Sequence, residues 1–282
     1  MADTDETDFH VVIPARYESS RLPGKPLADI GGLPMIVHVA RAVAAANPID
    51  VTVATDDQRI VDAVIDAGFD ALLTSPDHQS GSDRVYEVVQ KRGWEGAEIV
   101  LNVQGDEPLL PPALVAQVGG RLASAPDIDV CTLREPIALE ADRQDPNCVK
   151  VVVDKSDRAL LFSRAAIPYD FGHGSGIGPA TLNPTTPNPA TPNTEAATES
   201  EALADVPAAP WGWRHIGLYG YRVAALQKFV SLAPSALEKQ ESLEQLRLLE
   251  NGISLTVLPA VEPAAAGVDT PKDLARVREL LA

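Results

Sequence analysis

Apolar runs alternate with segments of helical periodicity along this chain, and no other feature constrains its fold as strongly. Four runs have the continuous apolar character of strands buried on both faces, namely Phe9–Ala15, Val51–Thr55, Ala71–Thr74 and Glu98–Gln104. Helical spacing appears in the connections, at Ile36, Val39, Ala40, Val43 and Ala44 and again at Ile60, Val61, Val64 and Ile65. This pattern predicts an α/β fold with a mixed, mostly parallel sheet flanked by helices.

The second half of the chain continues the pattern. Further strands are predicted at Asp129–Arg134, Val149–Asp154, Ala159–Ser163, His215–Arg222 and Ser254–Pro259. Helices are predicted at Leu237–Asn251 and at Pro271–Leu281. The second of these has a clear start signal, because Thr270 can cap it, Pro271 suits its first turn and Asp273 follows three residues after the cap.

One segment departs from this pattern and sets the domain organisation. Residues 179–210 contain seven prolines, no lysine, arginine or aromatic residue, and few bulky apolar side chains. Such a composition cannot bury enough surface to offset its ordering entropy. Strand-like sequence resumes beyond it, so we predict a single domain over residues 1–282 with a mobile Pro-rich insertion at about residues 172–209.

The charge balance restricts the partners of the chain. It has 23 Lys and Arg against 40 Asp and Glu, a net charge of −17, which disfavours binding to nucleic acid or to an anionic membrane. Met1–Asp8 is acidic where a secretory signal would be basic, and no apolar run is long enough to span a bilayer. We therefore expect a cytoplasmic protein.

The possible metal ligands point to oxygen rather than to sulfur or nitrogen. Cys131 and Cys148 have no neighbouring Cys or His at ligand spacing, so both are predicted to be buried free thiols. The five histidines are scattered singly, which disfavours a zinc site. Any bound metal should have oxygen ligands.

A cationic loop follows the first predicted strand. Val11–Leu27 reads VVIPARYESSRLPGKPL and holds Arg16, Arg21 and Lys25 with Pro23 and Gly24 among them. A loop after a first parallel strand lies at the edge of the sheet where α/β proteins bind nucleotides. The segment matches neither a Walker loop nor a Rossmann glycine pattern. It is either a phosphate-binding loop or an ordinary solvated basic loop.

Carboxylates follow another predicted strand. Ile99–Pro112 reads IVLNVQGDEPLLPP, so Asp106 lies just beyond the strand end, where it could hold Mg²⁺ or form an ordinary Gly-Asp turn. Asp269 in GVDTP precedes a helix and has the same two interpretations, a metal ligand or a local cap.

Taken together, these motifs resemble those of the 3-deoxy-manno-octulosonate cytidylyltransferases, also called CMP-Kdo synthetases. The resemblance covers almost the whole chain, with the motifs in the family's order: IPARYESSRLPGKPL, VATDD, DHQSGSDR, NVQGDEP, FSRAAIPYD, HIGLYGYR, LEQLR and GVDTPKDL. It implies the nucleotide-diphospho-sugar transferase type of α/β fold, usually as a homodimer. It also implies transfer of CMP from CTP to the anomeric hydroxyl of 3-deoxy-manno-octulosonate (Kdo), with release of pyrophosphate, for lipopolysaccharide synthesis.

The resemblance assigns roles to individual residues. It implies a catalytic set of Arg16, Lys25, Asp106 and Asp269, with Asp106 and Asp269 as the ligands of a Mg²⁺ cofactor. The implied CTP-binding residues are Pro14, Ala15, Arg16, Lys25, Gln79, Ser80, Arg84 and Asp106, since DHQSGSDR is similar to the stretch that lines the cytidine and its serines suit a helix start. The implied sugar-acid residues are Gln104, Arg164, His215, Tyr219, Glu244 and Gln245, with Arg164 as the cation for the sugar carboxylate.

Simpler interpretations of the sugar-site residues stay open. Arg164 could be a surface strand residue, His215 a satisfied strand histidine, and Glu244 and Gln245 the solvated face of a helix whose leucines point inward. The insertion is longer than this family usually carries, and it could be a lid or, as we expect, a tolerated surface extension.

Two other functions also remain open. One is a cytidylyltransferase for another ulosonic acid, such as a sialic acid or an amino-Kdo. The other is a catalytically silent nucleotide-binding regulator, against which the joint presence of Arg16, Lys25, Asp106 and Asp269 speaks.

Overall fold

The computed structural model describes residues 8–18, 22–169 and 212–281, which form an α/β sheet with helices on both faces. Its strands are β1 (Phe9–Ala15), β2 (Asp29–Ile30), β3 (Leu33–Pro34), β4 (Val51–Thr55), β5 (Asp70–Leu73), β6 (Ile99–Asn102), β7 (Val130–Pro136), β8 (Lys150–Val153), β9 (Ala159–Ser163), β10 (Trp213–Arg222) and β11 (Thr256–Pro259). The predicted insertion at residues 172–209 lies outside the described residues.

The helices lie mainly in the connections between these strands. They are α1 (Met35–Ala44), α2 (Gln58–Asp66), α3 (Gly81–Arg92), α4 (Pro112–Ser124), α5 (Glu140–Gln144), α6 (Val223–Ser231), α7 (Ala236–Glu241), α8 (Gln245–Glu250) and α9 (Pro271–Leu281). The predicted start of α9 is confirmed, because the Thr270 hydroxyl accepts a hydrogen bond from the Asp273 amide and the Asp273 carboxylate accepts one from the Thr270 amide.

The main sheet has the strand order β11-β7-β10-β6-β1-β4-β5. Strand β1 pairs in parallel with both β4 and β6, and β5 and β11 also join in parallel with β4 and β7. The long strand β10 runs antiparallel to β6, β7 and β8, and β9 pairs with β8. The mixed, mostly parallel sheet predicted from the sequence is confirmed, with β10 as the element that reverses direction.

Apolar side chains pack against both faces of this sheet. One layer contains Phe9, Val11 and Ile13 of β1 with the inner faces of α1, α2 and α4. The other contains Val12 of β1 and Val100 of β6, packed against α3, α6 and α8. Alternate residues of β1 therefore serve opposite layers, which explains why its sequence is apolar almost throughout.

Two predictions from the sequence require correction. The single helix predicted at Leu237–Asn251 is broken into α7 and α8, because Ser242 adopts a left-handed backbone conformation with φ of 51°. Cys131 is buried as predicted, but Cys148 is only half-buried because it lies in the turn before β8. Both thiols are free.

Candidate active site

The functional residues predicted from distant parts of the chain meet beyond the ends of β1 and β6. The Lys25 ammonium lies between two carboxylates, 2.7 Å from Asp106 Oδ2 and 3.1 Å from Asp269 Oδ1. These residues line a cleft of about 340 Å³ together with Pro14, Ala15, Arg16, Gln104 and others. We call this the charged cleft. Asp269 is not the cap of α9, since its carboxylate faces Lys25 while Thr270 and Asp273 cap the helix.

Close approach of three backbone segments makes this cleft possible. A Cβ atom on Gly105 would lie 2.8 Å from the Pro14 carbonyl oxygen, so only glycine fits where the turn after β6 crosses the end of β1. The Val268 amide donates to the Asp106 carbonyl oxygen at 2.8 Å, which places Asp269 beside Asp106. Gly267 packs against the same carbonyl, 3.2 Å from where its Cβ would stand.

The donor set of the cleft fits a hard divalent cation that shares its ligands with a substrate. Asp106 and Asp269 offer carboxylate oxygens, and the described residues hold no group of three or more His, Cys, Asp or Glu that could bind a metal by itself. Mg²⁺ commonly binds to one or two carboxylates and completes its shell with phosphate oxygens and water. Two carboxylates in a cleft lined by Lys25 and Arg16 suit such an ion when a polyphosphate is also bound.

The cationic loop is fastened to the neighbouring strand ends. Arg16 donates to the His78 carbonyl oxygen, and the Tyr17 amide lies 3.5 Å from Asp56 Oδ1. The Arg59 guanidinium covers the Tyr17 ring at 3.6 Å from its centroid. These contacts hold the start of the loop at the mouth of the charged cleft.

Arg84, predicted to contact CTP, is not placed in the cleft. Its side chain is fully buried and donates to Thr74 and to Asp56, the latter at 2.8 Å. A buried guanidinium needs a carboxylate partner, and Asp56 supplies it. The sequence could not distinguish a cation that faces a ligand from one that supports a carboxylate beneath the loop.

A second cavity, of about 260 Å³, adjoins the charged cleft. We call it the inner cavity; its polar lining is Ser82, Asn102, Gln104, His215, Tyr219, Tyr221, Ser242, Glu244 and Gln245. Gln104 lines both spaces, so the two adjoin at that residue. Among the described residues that line the inner cavity there is no Lys or Arg.

Loss of water shifts the pKa values of the titratable groups of the inner cavity toward their neutral forms. Desolvation lowers the pKa of His215 from the ordinary 6.5 to about 3, and its Nε2 is 3.0 Å from the Thr132 hydroxyl. Desolvation also raises the pKa of Tyr219 well above its usual range and raises that of Glu244, whose carboxylate accepts a hydrogen bond from Ser82 at 3.0 Å. His215 and Tyr219 therefore offer hydrogen bonds as uncharged groups at neutral pH.

Breaking the predicted helix creates one wall of this cavity. The left-handed turn at Ser242 lets Glu244 and Gln245 enter the lining instead of facing solvent. The solvated-face interpretation of these two residues is therefore wrong. His215 and Tyr219 reach the cavity from β10, where a bulge between Ile216 and Tyr219 shifts the pairing with β7.

Arg164 is not among the described residues that line either space. Its guanidinium donates to the carbonyl oxygens of Pro146 (2.8 Å), Glu241 (2.6 Å) and Ser242 (3.3 Å). Its own amide donates to the Glu241 carboxylate at 2.9 Å. Arg164 thus supports the turn that carries Glu244 and Gln245, and the structure does not place it as the cation for a sugar carboxylate.

The predicted helix start in DHQSGSDR is confirmed, but the residues of this stretch have different roles. The Ser80 hydroxyl caps α3 and bonds Asp83 at 2.9 Å, so it serves the helix. Gln79 is exposed and donates to the Asp77 carbonyl oxygen at 3.0 Å, outside both spaces. Gly81 and Ser82 are the residues of this stretch that line the inner cavity.

The predictions omitted Asn102 and Tyr221, which also line the inner cavity. One signal was available, since Asn102 is a polar residue at the end of the apolar run Ile99–Leu101. Tyr221 gave no signal, because an aromatic residue in a strand is ordinary core composition.

Comparison with known proteins identifies the family of this chain. A family model described as cytidylyltransferase matches residues 10–255. The 3-deoxy-manno-octulosonate cytidylyltransferase of Vibrio vulnificus is 46% identical over 97% of this chain and 98% of its own length, and that of Alcanivorax borkumensis is 43% identical over the same shares.

A solved structure agrees as well. CMP:2-keto-3-deoxy-manno-octonic acid synthetase complexed with CTP matches with a TM-score of 0.79 and 38% identity, over 96% of this chain and 98% of that one. The chain therefore belongs to the cytidylyltransferase family, among the 3-deoxy-manno-octulosonate cytidylyltransferases.

Proposed function

We propose that this protein transfers CMP from CTP to the anomeric hydroxyl of Kdo and releases pyrophosphate, making CMP-Kdo for lipopolysaccharide synthesis. The observation that carries the proposal is that two unlike spaces adjoin at Gln104, a charged cleft suited to a triphosphate and a cavity without Lys or Arg suited to a polyhydroxylated sugar. The reaction needs the sugar oxygen and the α-phosphorus side by side, and Gln104 marks where they would meet.

The residues of the charged cleft divide the work of binding and neutralisation. Lys25 and Arg16 would balance the negative charge of the triphosphate and of the departing pyrophosphate. The new bond joins the anomeric oxygen to the α-phosphorus while the hydroxyl proton passes to water, and the bond between that phosphorus and the bridging oxygen of the pyrophosphate breaks. The fixed positions of Lys25 and Gln104 would orient these atoms without a dedicated side-chain base.

We also propose that the enzyme depends on Mg²⁺, held by Asp106 and Asp269. When bound, the ion supplies Lewis-acid stabilisation of negative charge on phosphate oxygens. In this chain the two carboxylates are kept together by Lys25, at 2.7 and 3.1 Å. Titrating Mg²⁺ into the protein with and without a nonhydrolysable CTP analogue tests this, with tighter metal binding expected in the presence of the nucleotide.

The protein is proposed to act as a cytoplasmic homodimer. Strand β9 pairs only with β8 in the described part of the sheet and presents Leu160, which is 60% exposed. An apolar edge of this kind is suited to association. Light scattering of wild type and Leu160→Lys tests the dimer.

The cytoplasmic location is proposed from the cysteines, since the free thiols Cys131 and Cys148 fit a reducing compartment. None of the helices in the described part of the chain combines the length and apolar character that a bilayer crossing requires.

Pyrophosphate release from CTP with Kdo, with and without Mg²⁺, tests the function itself. Parallel reactions with sialic acid and with amino-Kdo test the other ulosonic acids, and we expect Kdo to be used best. Equal turnover of a nine-carbon acid would contradict the assigned substrate. Absence of turnover with every sugar, despite CTP binding, would favour the regulator.

A further inference from the structure

Asn102 occupies a central position between the two halves of the site. It is the last residue of β6, in register with Val12 of β1 on one side and with Tyr219 of β10 on the other. Its side chain lines the inner cavity and the residue is 3% exposed. A polar side chain at such a position requires an explanation, because the preceding residues of β6 are all apolar and buried.

The Asn102 amide is incompletely satisfied by the protein. Its Oδ1 atom is buried and accepts no hydrogen bond from any described residue. Its Nδ2 atom faces the start of α3, 4.0 Å from where a Cβ on Gly81 would stand. Leaving a buried amide oxygen unpaired destabilises a protein, so such groups are usually retained where a bound molecule completes their hydrogen bonds.

The surroundings of Asn102 indicate the chemistry of that molecule. Gln104, Tyr219 and Glu244 line the same cavity, and no Lys or Arg of the described chain joins them. The carboxamide of Gln104 and the phenol of Tyr219 can both donate and accept hydrogen bonds, and the Glu244 carboxylate accepts one from Ser82. This combination suits hydroxyl groups, which also donate and accept, better than it suits a carboxylate or a phosphate.

We infer that Asn102 is a specificity-determining residue that hydrogen-bonds a hydroxyl group of the sugar acid in the inner cavity. The inference rests on the proposed function. A ribose hydroxyl of CTP has the same chemistry and is the competing source. The sugar is favoured because Asn102 shares the inner cavity with His215 and Tyr219 of β10, whereas it is not among the residues that line the charged cleft.

The first experiment replaces Asn102 with leucine, which has a similar shape but no polar atoms. For Asn102→Leu we expect kcat/KM for Kdo to fall about 10- to 100-fold, with CTP affinity by calorimetry unchanged. The melting temperature should stay the same or rise, because an unpaired buried amide is removed. The matched control is Gln90→Ala, which deletes an exposed amide at the far end of α3 and should leave all three quantities unchanged.

The second experiment removes the hydroxyl group of the substrate instead of the Asn102 amide. Wild type and Asn102→Leu are compared on singly deoxygenated Kdo analogues, and on 2′-deoxy-CTP and 3′-deoxy-CTP. With wild type, we expect kcat/KM for one deoxy sugar to be about 10- to 100-fold lower than for Kdo. With Asn102→Leu, kcat/KM for that deoxy sugar should be close to its value for Kdo, since the same hydrogen bond is already absent. For each deoxynucleotide, kcat/KM should fall by the same factor in wild type and in Asn102→Leu.

Several outcomes would overturn the inference. Coupling of Asn102 to a deoxynucleotide instead would assign it to the ribose. A lower melting temperature with uniform losses on every sugar would make it a structural residue. Full retention of Kdo turnover by Asn102→Leu would overturn the inference and leave the proposed function standing, whereas no turnover by wild type would overturn both.

Discussion

The charged cleft and the inner cavity share one residue, Gln104, yet they differ in the charge of their side chains and in the elements that form them. The charged cleft holds an ammonium between two carboxylates at 2.7 and 3.1 Å, and it is assembled from turns after β1, after β6 and before α9. The inner cavity is assembled from β6, β10, α3 and the turn before α8, and its His215 and Tyr219 are kept neutral.

This difference indicates how one site can handle two unlike substrates. Fixed charges attract and neutralise a triphosphate, whose own charge would otherwise oppose bond formation. A sugar is selected by its hydroxyl pattern, and uncharged hydrogen-bonding groups distinguish such patterns because an unmatched polar group is left unpaired.

The contrast between the two spaces would be contradicted most clearly if the reaction did not take place in the charged cleft. Asp106→Asn should retain the fold and lower turnover about a hundredfold or more, because loss of a charged ligand removes transition-state stabilisation. Pyrophosphate release at saturating CTP and Kdo measures the effect. Asp66→Asn, an exposed carboxylate on α2, is the control and should keep full activity. Near-normal turnover of Asp106→Asn in Mg²⁺ would contradict the metal assignment.

The division between nucleotide and sugar can be sharpened with two cation variants. Lys25→Ala should weaken CTP binding about 10- to 100-fold, because it removes a charge in the cleft. Arg164→Ala should mainly impair use of the sugar, since its guanidinium supports the Glu241 and Ser242 carbonyls ahead of Glu244. Calorimetry with CTP and steady-state kinetics with Kdo separate the two. If Arg164→Ala lost CTP affinity and kept sugar affinity, the division would be wrong.

A pH experiment tests whether His215 is as desolvated as the inner cavity implies. Its pKa in the folded protein is about 3, below the 6.5 of an exposed histidine, so the unfolded chain takes up the extra proton as pH falls below 6.5. Stability is therefore lost on acidification, and between pH 7 and pH 5 this residue should contribute about 2 kcal/mol of the loss.

The variant His215→Gln isolates that contribution. Urea denaturation of both proteins at pH 7 and pH 5 gives the two free energies of unfolding, and the pH-dependent loss should be smaller in the variant. The same loss in both proteins would show that His215 titrates normally, and the inner cavity would then carry charge at acidic pH.

The smallest effect is expected from the Pro-rich insertion, which lies outside the described residues. Replacement of residues 174–208 with a short Gly-Ser bridge should leave the melting temperature and the rate at saturating CTP nearly unchanged. The described chain resumes at Gly212 beside Ile167, whose carbonyl oxygen would lie 3.2 Å from a Cβ on Gly212, so a short connection can span the gap. Loss of turnover with an unchanged melting temperature would favour the lid, and the inner cavity would then need a cover.

The sequence by itself determined the alternation of elements and the residues of the charged cleft. The limits of β1, β4 and α9 agree with the predicted runs, because strands buried on both faces and a capped helix leave strong local patterns. Arg16 directly follows β1 and Asp269 stands just before α9, but the joint assignment of Arg16, Lys25, Asp106 and Asp269 depends on the family resemblance of their motifs and not on local pattern alone.

Only the tertiary structure decided which polar residues face a ligand and which support the fold. Arg84 and Arg164 have the sequence context of binding residues. In the structure, however, Arg84 donates to Asp56 and Arg164 donates to backbone carbonyl oxygens. Asn102 has the context of a strand end, yet it lines the inner cavity with an unpaired oxygen. The distinction depends on partners 28, 77 or 162 residues away, as for Arg84 with Asp56, Arg164 with Glu241 and Ser82 with Glu244. Local periodicity carries no information about such pairings, because they form only when the sheet brings the segments together.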